Sequence, residues 1–309
     1  MDLRAIKLKF QIRLRRATNA LAGFLAIHTL RAARLVPLNV MSKTAAAILR
    51  TVGPLLREHR IGRAQLAAAF PEKSAKEIER ILLGVWDNLG RVVAEFAHID
   101  ELWDYDRLQG NGRIMRSDDS ETIAFRMRDD GKPALVFAAH VGNWELPAIA
   151  ARMYGLDTTV LYRRPNLKAA ADAVTQARAG CMGTLLPTTM DAPVKLAEAL
   201  DRGSHVAMLV DQWYGPGVPV TFFGRKTLAN QTIARLARHI ECPIHGIRAV
   251  RHPDGRLQVR VTEAIEPRRD ADGKIDVEGT MQVITGVIEG WVREHPEQWL
   301  WLHRRWRDG

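Results

Sequence analysis

The chain has 309 residues, 47% of them hydrophobic, enough to bury a full core as one large domain or as a domain plus an appendage. Lys and Arg number 45 against 35 Asp and Glu, a net charge of +10, so the partners are expected to be anionic: nucleic acid, a lipid surface, a phosphorylated substrate or an acidic protein. The two cysteines, Cys181 and Cys242, sit far apart without metal-ligand spacing, which argues against a disulfide framework and fits a reducing compartment.

Residues Met1 to Arg34 form a basic leader in which Arg4, Lys7, Lys9, Arg13, Arg15, Arg16, Arg31 and Arg34 face the single acid Asp2. Leu3, Ile6, Phe10, Leu14, Ala17, Leu21 and Phe24 recur at three- and four-residue steps, the pattern of one apolar helical face. The uncharged stretch Ala17 to Leu30 is shorter than the ~20 residues that cross a bilayer. The expectation is therefore a basic amphipathic helix lying in a membrane interface over residues 1–36, followed by a single α/β domain over 37–309. A helix packed on the domain, or a signal peptide, is the alternative reading.

Helices are expected over Leu38 to Leu56 and Ile61 to Phe70, and Ser74 with Glu77 forms a capping box ahead of a long helix through Phe96. Leu108 to Ile114 reads as a short strand and Asp119 to Arg128 as a helix. The apolar run Ala134 to Ala139 reads as a strand buried on both faces, and Asn143 is a good N-cap for a helix from Trp144 to Met153, closed by Gly155. Beyond it the pattern alternates: strand Thr158 to Tyr162, helix Lys168 to Ala179, strand Thr184 to Leu186, helix Pro193 to Leu200, strand His205 to Val210. That order predicts an α/β fold whose central sheet is mostly parallel and flanked by helices. A Gly/Pro-rich loop over Asp211 to Pro219 then leads to Val220 to Phe223, a helix Leu228 to Ile240, a hairpin of Ile244 to Arg251 with Arg256 to Thr262, and a helix Val277 to His295.

His140 stands where a buried strand ends, and Glu145 in the first turn of the next helix. A carboxylate at that spacing can fold back onto the imidazole, fix its tautomer and stabilise the imidazolium formed when the other ring nitrogen takes a proton. With 10 His and 35 acids, about one His-x4-acid match arises by chance, and His303 to Asp308 is a second one. Context separates them, since only His140 joins a strand to a helix at the rim where open α/β sheets bind ligands. The alternative for His140 is a hydrogen-bonded rim histidine.

Tyr162-Arg163-Arg164-Pro165-Asn166 also follows a strand, and Pro165 holds Arg164 extended, so its guanidinium can reach a phosphate or carboxylate at the rim. Asp211 ends another strand and can orient a base or an arginine, or cap the loop that follows. The tail Trp299 to Trp306 is aromatic and basic; it suits an anionic lipid or phosphate, and equally the packing that closes the fold. No P-loop, no GxGxxG after a strand, no GxSxG elbow and no HExxH is present, so neither nucleotide nor acyl-enzyme chemistry is indicated.

Taken together, these residues resemble the bacterial lipid A lauroyl/myristoyl acyltransferases within the lysophospholipid acyltransferase superfamily. The resemblance rests on the leader, on Ala69-Phe-Pro-Glu through Trp86-Asp-Asn-Leu-Gly-Arg and Glu95-Phe, and on Ala-His140-Val-Gly-Asn-Trp-Glu145. It continues through Tyr162-Arg-Arg-Pro-Asn, Asp211-Gln-Trp-Tyr-Gly, Val220-Thr-Phe-Phe-Gly and Pro296-Glu-Gln-Trp-Leu-Trp-Leu-His-Arg-Arg. It implies a glycerolipid acyltransferase-like fold, His140 and Glu145 as the catalytic pair, and Arg164, Asp211 and Asn143 as substrate-binding residues. Where the family commonly shows Asp-x-Asp, this chain has Trp213.

The implied reaction moves a fatty acyl chain from an acyl carrier protein thioester to a hydroxyl of a lipid A precursor, without metal or cofactor, at the cytoplasmic face of the inner membrane. Both partners are acidic, which gives the positive charge a use. Transfer to an ornithine lipid or a lysophospholipid is the alternative within the enzyme class. A non-catalytic basic membrane binder is the alternative outside it; no nucleic-acid motif is present.

Overall fold

The structure is a computed structural model and describes residues 28, 32–105, 110, 112–164 and 168–307. Most of the leader, residues 108, 109 and 111 of the strand expected at 108–114, and Pro165 and Asn166 therefore lie outside the described residues.

The N-terminal third is helical. Helix α1 (Leu38–Val52) packs on α3 (Ala75–Ala97), with α2 (Arg57–Ala69) beside it. The capping box is present: the Ser74 hydroxyl accepts from the Glu77 N–H, and the Glu77 carboxylate accepts from the Ser74 N–H. These helices lean on the sheet through Leu66, Phe70, Ile78, Leu82 and Val85, which join the larger of two apolar clusters.

The sheet has seven strands in the order β1-β9-β8-β2-β5-β3-β4: β1 (Ile114–Met115), β2 (Leu135–Ala138), β3 (Thr158–Tyr162), β4 (Thr184–Pro187), β5 (His205–Leu209), β8 (Ile244–Arg251) and β9 (Leu257–Val261). All neighbours are parallel except β8 with β9, which form the expected hairpin. One face is covered by α7 (Ala192–Asp201), α8 (Thr232–His239) and α9 (Val277–Glu294), the other by α4 (Asp118–Asp129), α5 (Leu146–Met153) and α6 (Lys168–Ala179), each face holding its own apolar cluster. Leu135 and Phe137 point into the first cluster while Val136 and Ala138 point into the second, the alternation a strand buried on both sides must show.

One element differs from the expectation. Residues Arg225–Ala229 form a strand, β7, paired antiparallel with β6 (Val218–Phe222), and the helix begins only at Thr232. The connection is the two-residue turn Phe223-Gly224, with φ of 51° and 70°, the geometry whose twist suits a tight hairpin. The Phe223 ring offsets the unfavourable backbone by packing against Phe70, Phe222 and Trp301.

Candidate active site

Strands β2 and β5 are neighbours, with Ala138 opposite Leu209. His140 and Asp211 each stand two residues past those paired ends, so the register brings them side by side at the carboxyl rim. The Asp211 carboxylate then holds His140 twice: Oδ1 accepts from the ring Nδ1–H at 2.8 Å, and Oδ2 accepts from the backbone N–H at 2.9 Å. Oδ2 also accepts from the indole Nε1–H of Trp299 at 2.8 Å.

Asp211 is buried, which alone would raise its pKa, but the His140 ring and these donors outweigh burial and hold it down at about 2. An ionised Asp211 fixes the proton on Nδ1 and leaves Nε2 as the ring's lone-pair nitrogen. Burial lowers the pKa of His140, yet the charge and hydrogen bond of Asp211, with a smaller contribution from Glu145, raise it overall above its ordinary value. The side-chain amide of Gln212 lies 3.4 Å from Nε2, on the side where a reacting group would sit.

Glu145 does not make the bond to His140 that the spacing suggests. Both of its oxygens are taken by Arg178 of α6, from Nε at 2.8 Å and Nη2 at 2.5 Å. The reason is geometric: the turn after β2 carries Glu145 onto the helical layer facing Arg178, while the next strand supplies the partner for the imidazole. Glu145 still lines the same cavity as His140, and it acts on the ring through its charge.

Asn143 is turned inward rather than toward a ligand. It is fully buried, its Nδ2 donates to Glu95 at 2.8 Å, its Oδ1 accepts from the Glu145 N–H at 3.0 Å, and it is not part of the cavity lining. It shapes the turn as expected of a helix-start residue, although the regular helix begins three residues later, at Leu146. Arg164 is exposed at the rim beyond β3, and its neighbour Arg163 is the arginine that lines the cavity.

The cavity itself has a volume of about 310 Å³ and runs between the sheet and α5. Val136, Ala138, Val160, Ala207 and Leu209 form its floor, and Ala124, Ala148 and Ala151 its roof. The room exists because so many of these side chains are alanine. His140, Trp144, Glu145, Arg178, Arg163 and Gln212 form its polar end.

A buried polar cluster braces the His140 turn from behind. Arg251 grips Glu95 with two bonds of 2.7 Å and donates from Nε to Asn88, whose Nδ2 donates to the Gly142 carbonyl at 2.9 Å. On the other side the Gly142 N–H donates to the Gln298 carbonyl and the Leu300 N–H to the His140 carbonyl, so residues 298–300 run antiparallel to 140–142. Gly142 has φ of +58°, and a Cβ there would lie 2.0 Å from the Ala249 carbonyl oxygen, so no other residue fits.

Asn88, Glu95, Arg178, Arg251, Gln298 and Trp299 were not singled out as site residues from the sequence. Asn88 and Glu95 carried a signal, standing two helical turns apart on the buried face of α3, where polar residues need a purpose. His303 of the second His-x4-acid match lies close enough to feel the charges of Asp211 and His140, but burial lowers its pKa and keeps it neutral. Burial pushes the thiols of Cys181 and Cys242 up to about 11, which makes both poor nucleophiles at neutral pH. Among the described residues no group of three or more His, Cys, Asp or Glu side chains is placed to hold a metal ion, and no helix is long and apolar enough to cross a membrane.

No curated protein matches the chain. The family described as "Bacterial lipid A biosynthesis acyltransferase" matches it from residue 7 to residue 308. With nearly the whole sequence matched, and an oriented histidine opening onto an apolar cavity, the chain belongs to that family of acyltransferases.

Proposed function

We propose that this acyltransferase carries a fatty acyl chain from an acyl carrier protein thioester to a hydroxyl of a lipid A precursor, with His140 as general base. The observation that supports the reading most is the pairing of His140 with Asp211 at the polar end of a long apolar cavity. The acyl chain lies in the cavity with its thioester carbonyl beside Nε2. His140 Nε2 takes the proton of the acceptor hydroxyl as its oxygen bonds to the carbonyl carbon. Collapse of the tetrahedral adduct then breaks the carbon–sulfur bond, and the leaving thiolate recovers the proton from the imidazolium.

In this scheme Asp211, rather than Glu145, holds the ring and stabilises its charged form. Glu145 contributes negative charge and positions Arg178 beside the cavity. Arg163 and Arg164, at the rim, meet the anionic groups of the acceptor or of the carrier protein. No nucleophilic Ser or Cys is needed, because the transfer is direct.

The site works at a lipid surface, which we place at the cytoplasmic face of the inner membrane, with residues 1–36 as the membrane-associating segment. Support comes from the described residues just beyond it. Leu35 and Leu55 are 86% and 83% exposed, and Val40, Ile48 and Val52 are exposed along one side of α1. Between Ala32 and Arg63 the bases Arg34, Lys43, Arg50, Arg57, Arg60 and Arg63 accompany the single acid Glu58. An apolar ridge with a basic border suits an anionic bilayer.

Incubating the protein with acyl carrier protein thioesters and separate lipid A precursor, ornithine lipid and lysophospholipid acceptors, with mass spectrometric detection, tests the proposal. Acylation of the lipid A precursor, lost in His140→Ala, is the expected result. Preferential acylation of another lipid would move the assignment to that acceptor, and transfer by His140→Ala would remove the base from the scheme.

A further inference from the structure

Among the polar side chains of the cavity that the proposed chemistry does not use is an imidazole. His205 opens β5 at the amino end of the strand, and Asp211 follows the same strand at its carboxyl end. The six residue steps from one position to the other separate the two ends of the cavity by roughly 20 Å at ~3.3 Å per residue. His205 lines this far end together with Thr158, Leu156 and Met127, and it is only 5% exposed. Its Nδ1 is buried and has no hydrogen-bond partner. Burial also lowers its pKa, so the imidazole is neutral at physiological pH.

We propose that His205 is the specificity-determining residue of the far end, selecting acyl chains that stop short of its imidazole. The inference rests on the reading of the cavity as the acyl site. Each methylene added to a chain that still fits gains apolar burial, roughly fourfold in affinity. A chain long enough to reach the ring meets its bulk, and the partnerless Nδ1 offers the terminal methyl no compensating contact. Forcing the extra methylene in costs on the order of tenfold. The two effects together turn a rising preference into a cut-off.

The test combines binding and turnover. Saturated fatty acids of increasing length are titrated into the full-length protein by calorimetry, and kcat/KM is measured for the matching carrier protein thioesters. Wild type should gain about fourfold per methylene and then lose about tenfold at the first length past its optimum. His205→Ala should move the optimum to longer chains. His205→Leu, which keeps bulk at that position, should leave the optimum and the cut-off near their original lengths. Ala207→Leu, on the same strand face but nearer His140, should shorten the accepted chain.

A folded His205→Ala variant with the wild-type length profile would overturn the proposal, as would a wild-type profile without a cut-off. The two readings fail separately. A length cut-off in fatty acid binding that shifts in His205→Ala, without turnover of any thioester, would leave His205's role intact and remove the proposed reaction.

Discussion

Asp211 holds His140 by two atoms at once, one carboxylate oxygen on the ring Nδ1–H and the other on the backbone N–H. The residues are 71 positions apart, and the contact follows from the parallel register of β2 and β5. The carboxylate thereby fixes the ring's tautomer, its orientation and its proton affinity together.

Asp211→Asn should lower kcat/KM by roughly 10²–10⁴, the usual contribution of an oriented general base. The pH profile carries the sharper result. The active form is the neutral ring, so the rate falls as pH drops through the His140 pKa, which stands above its ordinary 6.5. Removing the negative charge of Asp211 takes away the main factor raising that pKa, and the acid limb should move to lower pH. An acid limb that stays in place would mean another group controls it.

Glu145 and Arg178 form a nearly buried ion pair, their side chains 7% and 18% exposed. Arg178→Met leaves a carboxylate without its partner and should cost about 3–5 kcal/mol in urea unfolding. The double variant Glu145→Gln/Arg178→Met should recover part of that loss. If instead the single and double variants both unfold like the wild type, the pair contributes little to stability, and its purpose is confined to the cavity.

Arg251 stands behind the His140 turn and does not line the cavity. Arg251→Met strands Glu95 inside the protein and should destabilise by about 3–5 kcal/mol. Because Asn88 loses its donor and Glu95, which holds Asn143, loses its partner, turnover should fall while fatty acid affinity, which depends on the cavity walls, changes little. Parallel loss of both would place Arg251 in the general scaffold.

For the ridge on α1, Ile48→Glu combined with Leu55→Glu should reduce co-sedimentation with vesicles containing an anionic phospholipid at least tenfold. Withdrawing two apolar side chains from the bilayer accounts for a change of that order. Hydrolysis of soluble thioester analogues should be unaffected, since neither residue lines the cavity. Unchanged vesicle binding would leave the leader as the lipid contact.

What the sequence made legible was local. The strand Thr158–Tyr162 and the helix Lys168–Ala179 are found with the expected bounds, because period and flanking residues specify them within a few positions. The Ser74 and Glu77 box is present for the same reason. The partner of His140 was not legible. Which strand lies beside β2 is settled by packing of whole layers, and a five-residue spacing offered Glu145 as the nearer choice. Arg178 was hidden likewise, since its meeting with Glu145 depends on how α6 sits over β3 and β4. The β6–β7 turn escaped because Phe-Gly lacks the Asn or Asp that usually announces a tight hairpin.

The antiparallel bridge of residues 298–300 to residues 140–142 ties the site to the core from a single segment. That segment supplies the indole that donates to Asp211 and the backbone N–H that holds the His140 carbonyl, and its Trp299, Trp301 and Trp306 fill the larger apolar cluster. Damage to this stretch therefore reaches the imidazole and the packing of the fold together.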